Sequence, residues 1–263
     1  MKTFELFGHH ISYSASPLIH RAALRSLGLL DDYDYVVTDV SPVDLPHEIE
    51  RFRASGAGAN VTAPHKRMAA EACDELTDDA RLSRAANTIV RTGRHLTGHN
   101  TDLPAIADEI RSLCPDGVHR AVVLGNGGAS HAVQLALFRM DAAVTVAQRR
   151  DGSIRDVGSL LRGANLLVNA TPVGTESDQS PVEPEDLSPH AAVLDLVYRP
   201  TPSALVRAAR EIGAPARNGA GLLVGQAWRS LALWLAQDGI EVGPELAEPM
   251  LAALLEDLGA ADV

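Results

Sequence analysis

The sequence predicts an α/β protein of two domains, each built from βα units laid into a parallel sheet. Three observations predict it. Short runs rich in β-branched and aromatic residues alternate with longer amphipathic stretches from one end of the chain to the other. The alternation forms two successive series, with a helical stretch between them. A length of 263 residues with 46% hydrophobic content exceeds the needs of one compact core and suffices for two modest ones.

The first series places strands at residues 4–8, 33–38 and 58–62, with helices beginning at Pro17, Val43 and Pro64. Residues 87–91 and 95–98 then flank Thr92-Gly93-Arg94 and predict a hairpin. The stretch from Asp102 to Cys114 is apolar at Leu103, Ile106, Ile110 and Leu113, a helical spacing that makes it the connection between the series. The second series opens at Ala121-Val122-Val123-Leu124 and continues through residues 143–146, 165–168 and 191–197. From Leu222 the chain reads as helix to its end, with Trp228, Leu231 and Leu235 on one side, and is expected to return to the first domain.

A net charge of -11 argues against a protein that embraces nucleic acid or an anionic membrane, so any anionic ligand has to be captured by a local cluster. The two cysteines, Cys73 and Cys114, have neither metal-site nor disulfide-scaffold spacing and read as reduced thiols. The first ten residues contain an acid and two histidines where a secretory signal needs an apolar run, and no later run is long enough to span a bilayer. A cytoplasmic location is expected.

Directly after the strand at Val122-Val123-Leu124 comes Gly125-Asn126-Gly127-Gly128-Ala129-Ser130, followed by an apolar helix through Val133, Leu135 and Leu137. This is the G-x-G-x-x-small phosphate turn of a Rossmann-like fold. The first glycine permits the turn, the second lets backbone approach a pyrophosphate, and the small third residue lets helix pack on strand. After the next strand stands Gln148-Arg149-Arg150, where a guanidinium suits the 2′-phosphate of NADP. Asp151 beside them is able to reach a ribose and admit NAD.

Three other segments place small polar residues at strand ends or before helices. In Ser14-Ala15-Ser16-Pro17, Ser16 suits an N-cap and Pro17 a first helical turn, which leaves Ser14 unexplained and the pair suited to a carboxylate. In Asn60-Val61-Thr62-Ala63-Pro64-His65-Lys66, a lysine stands in the first turn of a helix, an electrostatically unfavourable place that suits proton transfer. The third comprises Asn87-Thr88 and Gly98-His99-Asn100-Thr101-Asp102, which offers a carboxylate as partner to Lys66.

Taken in order, these segments resemble the shikimate dehydrogenase family over essentially the whole chain. Further matches are Asn169-Ala170-Thr171-Pro172-Val173-Gly174, Asp195-Leu196-Val197-Tyr198-Arg199-Pro200, and Gly219-Ala220-Gly221-Leu222-Leu223 with Gln226. The resemblance implies an N-terminal α/β substrate domain (1–101 and 235–263), a Rossmann-like NADP-binding domain (102–234), and C-terminal helices returning to the first. It implies that Ser14 and Ser16 hold a substrate carboxylate, that Thr62, Asn87, Asp102, Tyr198 and Gln226 hold its carboxylate or hydroxyls, and that Lys66 with Asp102 handles the proton. It assigns Gly125, Asn126, Gly127, Gly128 and Ala129 to the pyrophosphate, Gln148, Arg149 and Arg150 to the adenosine end, and Thr171, Leu196, Gly219 and Leu222 to the nicotinamide half.

The implied activity is reversible hydride transfer between NADP and a small cyclic hydroxy acid, by a monomer or homodimer, in chorismate and aromatic amino acid biosynthesis. Several departures lie near the chemistry: His10 where proline is frequent, His99 for aspartate, Leu103 for glycine, and Thr175 and Leu222 for methionines. They leave quinate or an amino analogue open as substrate and NAD open as coenzyme. Two other chemistries have partial signals. Gly128-Ala129-Ser130-His131-Ala132 nearly matches a serine hydrolase's nucleophile elbow, with His190 as the partner histidine, and His95 and His99 are spaced as metal ligands would be on a helix. His190 precedes its strand and Gly98 argues against a helix, so neither a hydrolase nor a metal site is expected.

Overall fold

The computed structural model of the chain describes residues 1–148 and 152–260. It divides into two compact units, Met1–Asp102 with Leu223–Leu254, and Leu103–Leu222 with the residues from Leu255 onward.

In the first unit the chain runs β1 (Lys2–Gly8), α1 (Ser16–Ser26), β2 (Tyr33–Asp39), α2 (Leu45–Ser55), β3 (Gly58–Val61), α3 (Lys66–Ala72), β4 (Glu75–Leu76), α4 (Asp78–Ser83), β5 (Thr88–Thr92) and β6 (His95–His99). The sheet order is β2-β1-β3-β5-β6-β4. The first three strands are parallel, as βα units require, but β5 runs antiparallel to both β3 and β6. The sheet is therefore mixed where the alternation alone predicted a parallel one. Gly93, at φ +64 in the Gly93-Arg94 turn, closes the expected hairpin between β5 and β6.

This mixed order positions the site. Strand order reverses between β1 and β3, so their carboxyl ends border a crevice in which the following loops begin. Because β5 is antiparallel, its first residue lies beside the last turn of β3, with Asn60 opposite Thr88, and the end of β6 lies there too, with His99 opposite Thr88. Thr62, Asn87 and Thr101 thus flank one end of these interior strands although they come from three separate loops.

The second unit contains α5 (Asp102–Leu113) after its first residue, then β7 (Arg120–Leu124), α6 (Gly128–Phe138), β8 (Ala143–Ala147), α7 (Val157–Leu160), β9 (Leu166–Asn169), β10 (Ala192–Asp195), α8 (Ala204–Glu211) and β11 (Ala216–Arg217). Its sheet, β11-β10-β9-β7-β8, is parallel throughout. The central strands β7, β9 and β10 are buried on both faces. One face packs Val122, Leu124, Leu167 and Val193 against Leu205 and Val206; the other packs Val123, Val168 and Leu194 against Ile106, Ile110 and Val133. The switch in strand order falls between β7 and β9.

The final stretch is not one helix. After α9 (Ala220–Leu235) the chain turns at Gly239, φ +73, and passes Gly243 and Pro244 before α10 (Ala247–Leu258). Both glycines and the proline interrupt helical propagation. Leu223–Leu254 belongs with the first unit, a division that begins earlier than the 235 boundary the resemblance implied. The reason is packing: Leu231, Trp234 and Leu235 are fully buried there, Trp234 stacks on Phe4 at 4.7 Å between centroids, and its Nε1 donates to Ile89 O at 3.0 Å. A Cβ on Gly58 would lie 2.5 Å from that indole, which explains a glycine at the start of β3.

Candidate active site

In the first unit, Lys66 is the first residue of α3, and its Nζ donates to Asp102 Oδ2 at 2.8 Å. The lysine is anchored from its neighbour: His65, fully buried, donates from Nε2 to Val40 O at 2.7 Å. Asp102 is the first residue of α5, where the helix dipole favours a carboxylate, and its N–H donates to Asn100 Oδ1. Its other oxygen, Oδ1, accepts from Asn87 Nδ2 at 2.9 Å. The two charges cancel, and the pair is 35% and 18% exposed, open enough to meet a ligand.

The other first-unit side chains assigned to the ring or its carboxylate, Thr62, Asn87 and Gln226, are neutral hydrogen-bonding groups. Thr62 follows β3 and its N–H donates to Phe7 O at 2.8 Å, which fixes it beside the end of β1. Asn87 is 2% exposed and bridges Thr101 and Asp102. Gln226, on α9, is half-buried with its Nε2 donating to Leu223 O at 2.8 Å.

The serine segment is arranged differently from its sequence reading. Ser16 is not the N-cap of α1. It is the first helical residue, buried, and Ala15 precedes it without a side-chain cap. Ser14 has the capping-like role: its Oγ accepts from Ser16 N–H and donates to Ser16 Oγ, both at 3.2 Å. Below them Ser16 O accepts from His20 Nδ1 at 2.8 Å, and burial lowers His20 to a pKa of about 4, so the ring is neutral. His20 stacks on Tyr35, whose phenol burial pushes well above its ordinary range.

In the second unit, the glycine turn occupies the switch point between β7 and β9. Gly125 has φ +96, and a Cβ there would lie 2.9 Å from Thr171 Cγ2 and 3.1 Å from Ala170 O, so both conformation and space demand glycine. Gly127 precedes α6 with no side-chain cap, and a Cβ on Gly127 or Gly128 meets nothing within 4 Å. Asn126, Gly127, Gly128 and Ala129 are exposed. The helix N-terminus thus offers uncapped N–H groups over bare backbone, a receptor shaped for an anion. Ser130 does not fit a hydrolase: it is fully buried, its Oγ donates to Gly125 O at 2.7 Å, and it braces the turn. His190 precedes β10, at the opposite end of the sheet from this turn. His95 and His99 lie on strand β6, not on a helix face.

Thr171, beside Gly125, is held by Asn169 Oδ1, which accepts from its N–H at 3.0 Å and its hydroxyl at 2.7 Å. Leu196 and Leu222 pack against the core face of this unit. Gly219 is required by Leu196, whose carbonyl occupies the place a Cβ would take, and Gly219 N–H donates to Val197 O at 3.2 Å. Tyr198 follows β10 and is half-buried. Gln148 follows β8 and its N–H donates to Ser153 Oγ at 2.9 Å. Arg149 and Arg150, assigned to the adenosine end, lie outside the described residues, as does Asp151.

Three groups were given no role in the sequence reading. Asp195 is 1% exposed, and burial raises its carboxyl above the ordinary range although Asn169, Ser203 and Val197 donate to it. Glu109 lies where a Cβ on Gly221 would fall, and burial raises it too, against the pull of Arg217 at 3.7 Å. Ser230, fully buried on α9, joins Asn60, Thr88 and Thr101. For Glu109 and Ser230 the available signal was a polar residue within a helix, and for Asp195 an acid at the end of an apolar strand.

Residues 6–89 match the family model described as the shikimate dehydrogenase substrate binding domain. The chain is 34% identical to the shikimate dehydrogenase (NADP(+)) of Chlorobium phaeobacteroides, over 90% of this chain and 92% of that protein. It is 33% identical to the enzyme of the same name from Caldanaerobacter subterraneus subsp. tengcongensis, over 90% and 92%. Its structure is similar to shikimate 5-dehydrogenase from Thermus thermophilus in complex with NADP(H) and shikimate, with a TM-score of 0.84, 31% identity, and 97% and 99% of the two chains covered.

Proposed function

The chain belongs to the shikimate dehydrogenase family, and on that premise we propose that it catalyses the reversible NADP-dependent reduction of 3-dehydroshikimate to shikimate, a step of aromatic amino acid biosynthesis. The observation that carries this reading is the ammonium of Lys66 held 2.8 Å from Asp102, with Asn87 fixing the other carboxylate oxygen. Such a pair suits proton exchange with a hydroxyl, because Lys66 carries the proton that moves and Asp102 fixes where it is delivered.

The second unit fits a dinucleotide. Its bare Gly127-Gly128 backbone at the head of α6 suits a pyrophosphate, with Gly125, Asn126 and Ala129 completing the turn and Thr171, Leu196, Gly219 and Leu222 offered to the nicotinamide half. Arg149 and Arg150 are proposed for the 2′-phosphate, beside Gln148, and favour NADP over NAD. The coenzyme supplies the hydride donor or acceptor. Ser14 and Ser16 hold the substrate carboxylate by hydroxyl donation, while Thr62, Asn87, Tyr198 and Gln226 orient the ring hydroxyls. In the direction of reduction, Lys66 Nζ gives a proton to the carbonyl oxygen as that oxygen becomes a hydroxyl, and Asp102 holds the ammonium in line. In the direction of oxidation the hydroxyl returns that proton to the neutral amine of Lys66.

We place the reaction in the cytoplasm, carried out by a monomer or homodimer; no helix among the described residues is long and apolar enough to cross a membrane. The deciding experiment offers shikimate, quinate and an amino analogue to purified protein, each with NADP and with NAD, and follows nicotinamide absorbance. Reduction of NADP by shikimate is expected to be fastest. No absorbance change with any of them would end this reading.

A further inference from the structure

Ser230 lies within α9 and is 0% exposed. The helix itself does not call for it, since serine is a poorer interior residue than alanine and its hydroxyl competes for backbone carbonyls. Here the hydroxyl is 3.0 Å from Gln226 O, one turn back. Its other partners are the buried polar side chains beneath the proton-transfer pair. Asn60 Nδ2 donates to it at 2.9 Å, Thr88 Oγ1 is 2.7 Å away and Thr101 Oγ1 3.2 Å.

Those three residues come from β3, β5 and the connection into α5, so one hydroxyl ties a helix to three other segments. Asn60 is itself fixed, because Tyr35 OH donates to its Oδ1 at 2.9 Å and leaves Nδ2 facing Ser230 and Asn87 O. From Thr101 the chain of bonds continues to the site. Thr101 N–H donates to Asn87 Oδ1 at 2.7 Å, and Asn87 Nδ2 donates to both Thr101 Oγ1 and Asp102 Oδ1, each at 2.9 Å. Only Thr101 and Asn87 stand between Ser230 and Asp102. All members before Asp102 are neutral, so the network sets position without adding charge.

We infer that Ser230 is a positioning residue for the proton-transfer pair, holding Thr101 and, through Asn87, the Asp102 carboxylate at its working distance from Lys66. The inference rests on the proposed function, in which that pair handles the proton. Without the hydroxyl, Asn60, Thr88 and Thr101 lose a shared partner in a buried place, and each must re-pair among the others.

The test compares the wild type with Ser230→Ala and with Ser230→Cys, which keeps the shape but bonds weakly. The readouts are kcat and KM for shikimate and NADP across pH, with Tm alongside. A fall in kcat on the order of tenfold is expected for Ser230→Ala, with a smaller fall for Ser230→Cys, a displaced kcat–pH profile and an unchanged KM for NADP. Wild-type kcat and pH profile in both variants would overturn the inference. Losses that merely follow the folded fraction, or failure of both variants to fold, would overturn it as well, by making Ser230 a stability residue alone. A wild type inactive on shikimate removes the proposed function instead. The crystal structure of Ser230→Ala then decides the placement, which is refuted if the Asn87–Asp102 and Lys66–Asp102 distances are unchanged.

Discussion

Asn169 Nδ2 donates to Asp195 Oδ1 at 2.8 Å across the adjoining carboxyl ends of β9 and β10. The same Asp195 oxygen accepts from Val197 N–H, and its other oxygen accepts from the hydroxyl of Ser203, the N-cap of α8. One buried carboxyl thereby sets the loop bearing Thr171 and the loop bearing Leu196 and Tyr198.

That arrangement has a pH signature. Burial raises Asp195 above its ordinary 3.8, so the folded chain binds this proton more tightly than the unfolded one, and stability falls as pH climbs from 3.8 through the raised value. Asp195→Asn keeps an oxygen for Asn169 and Val197 and lets Ser203 turn to accept. The variant should gain on the wild type with rising pH, measured by urea unfolding followed by far-UV circular dichroism from about pH 4 to 7. A gap that does not change with pH would refute it.

His20 has the opposite sign. Its pKa, lowered from 6.5 to about 4 by burial, means that the unfolded chain takes up the proton first. Stability is complete above 6.5 and lost as pH falls toward 4, by about 3 kcal/mol in full. His20→Phe preserves the stack on Tyr35 and removes the titration, so its acid loss should be shallower. Both tryptophans, Trp228 and Trp234, belong to the first unit, so their fluorescence reads this transition separately.

Lys66→Ala and Asp102→Asn should each lower kcat by about 10²- to 10⁴-fold. NADP binding, followed by fluorescence titration, should be unaffected because the glycine turn belongs to the other unit. A Lys66→Ala protein that kept most of its turnover would remove the lysine from the reaction.

Gly125 and Gly127 should respond differently to alanine. At Gly125 the positive φ and the nearness of Thr171 and Ala170 impose strain, costing about 1–3 kcal/mol and lowering Tm. At Gly127, where φ is -94 and the space is open, Tm should hardly change while the KM for NADP rises. An unchanged KM in Gly127→Ala would mean that no pyrophosphate lies over that turn.

Replacing Arg149 and Arg150 together should raise the KM for NADP far more than that for NAD, since only NADP has the 2′-phosphate. Equal effects on the two coenzymes would withdraw the assignment.

Local pattern carried much of this. Residues 121–129 revealed strand, turn and helix because the φ +96 at Gly125 and the bare backbone at Gly127 are demands made on individual residues. Lys66 and Asp102 were each legible as candidates and could be matched as ammonium and carboxylate, but nothing in either segment specifies that β5 runs antiparallel and brings Asn87 against the second oxygen of Asp102. The exchange of roles between Ser14 and Ser16 depends on which hydroxyl the backbone turns inward, a matter of φ and ψ and not of composition. Ser230 was invisible for a different reason. Its partners Asn60, Thr88 and Thr101 are more than a hundred residues away, and an isolated serine between Arg229 and Leu231 carries no trace of them.

The residues proposed to hold the substrate include only one cation and one anion, Lys66 and Asp102, and these neutralise each other at 2.8 Å. A carboxylate received there by Ser14 and Ser16 is recognised through the direction of hydroxyl dipoles, with little net field drawing it in. Added salt, which screens charges more than about 10 Å apart at 0.1 M, then has no local attraction to weaken and relieves only the repulsion from the chain's net charge of -11, so substrate affinity should not fall as ionic strength rises.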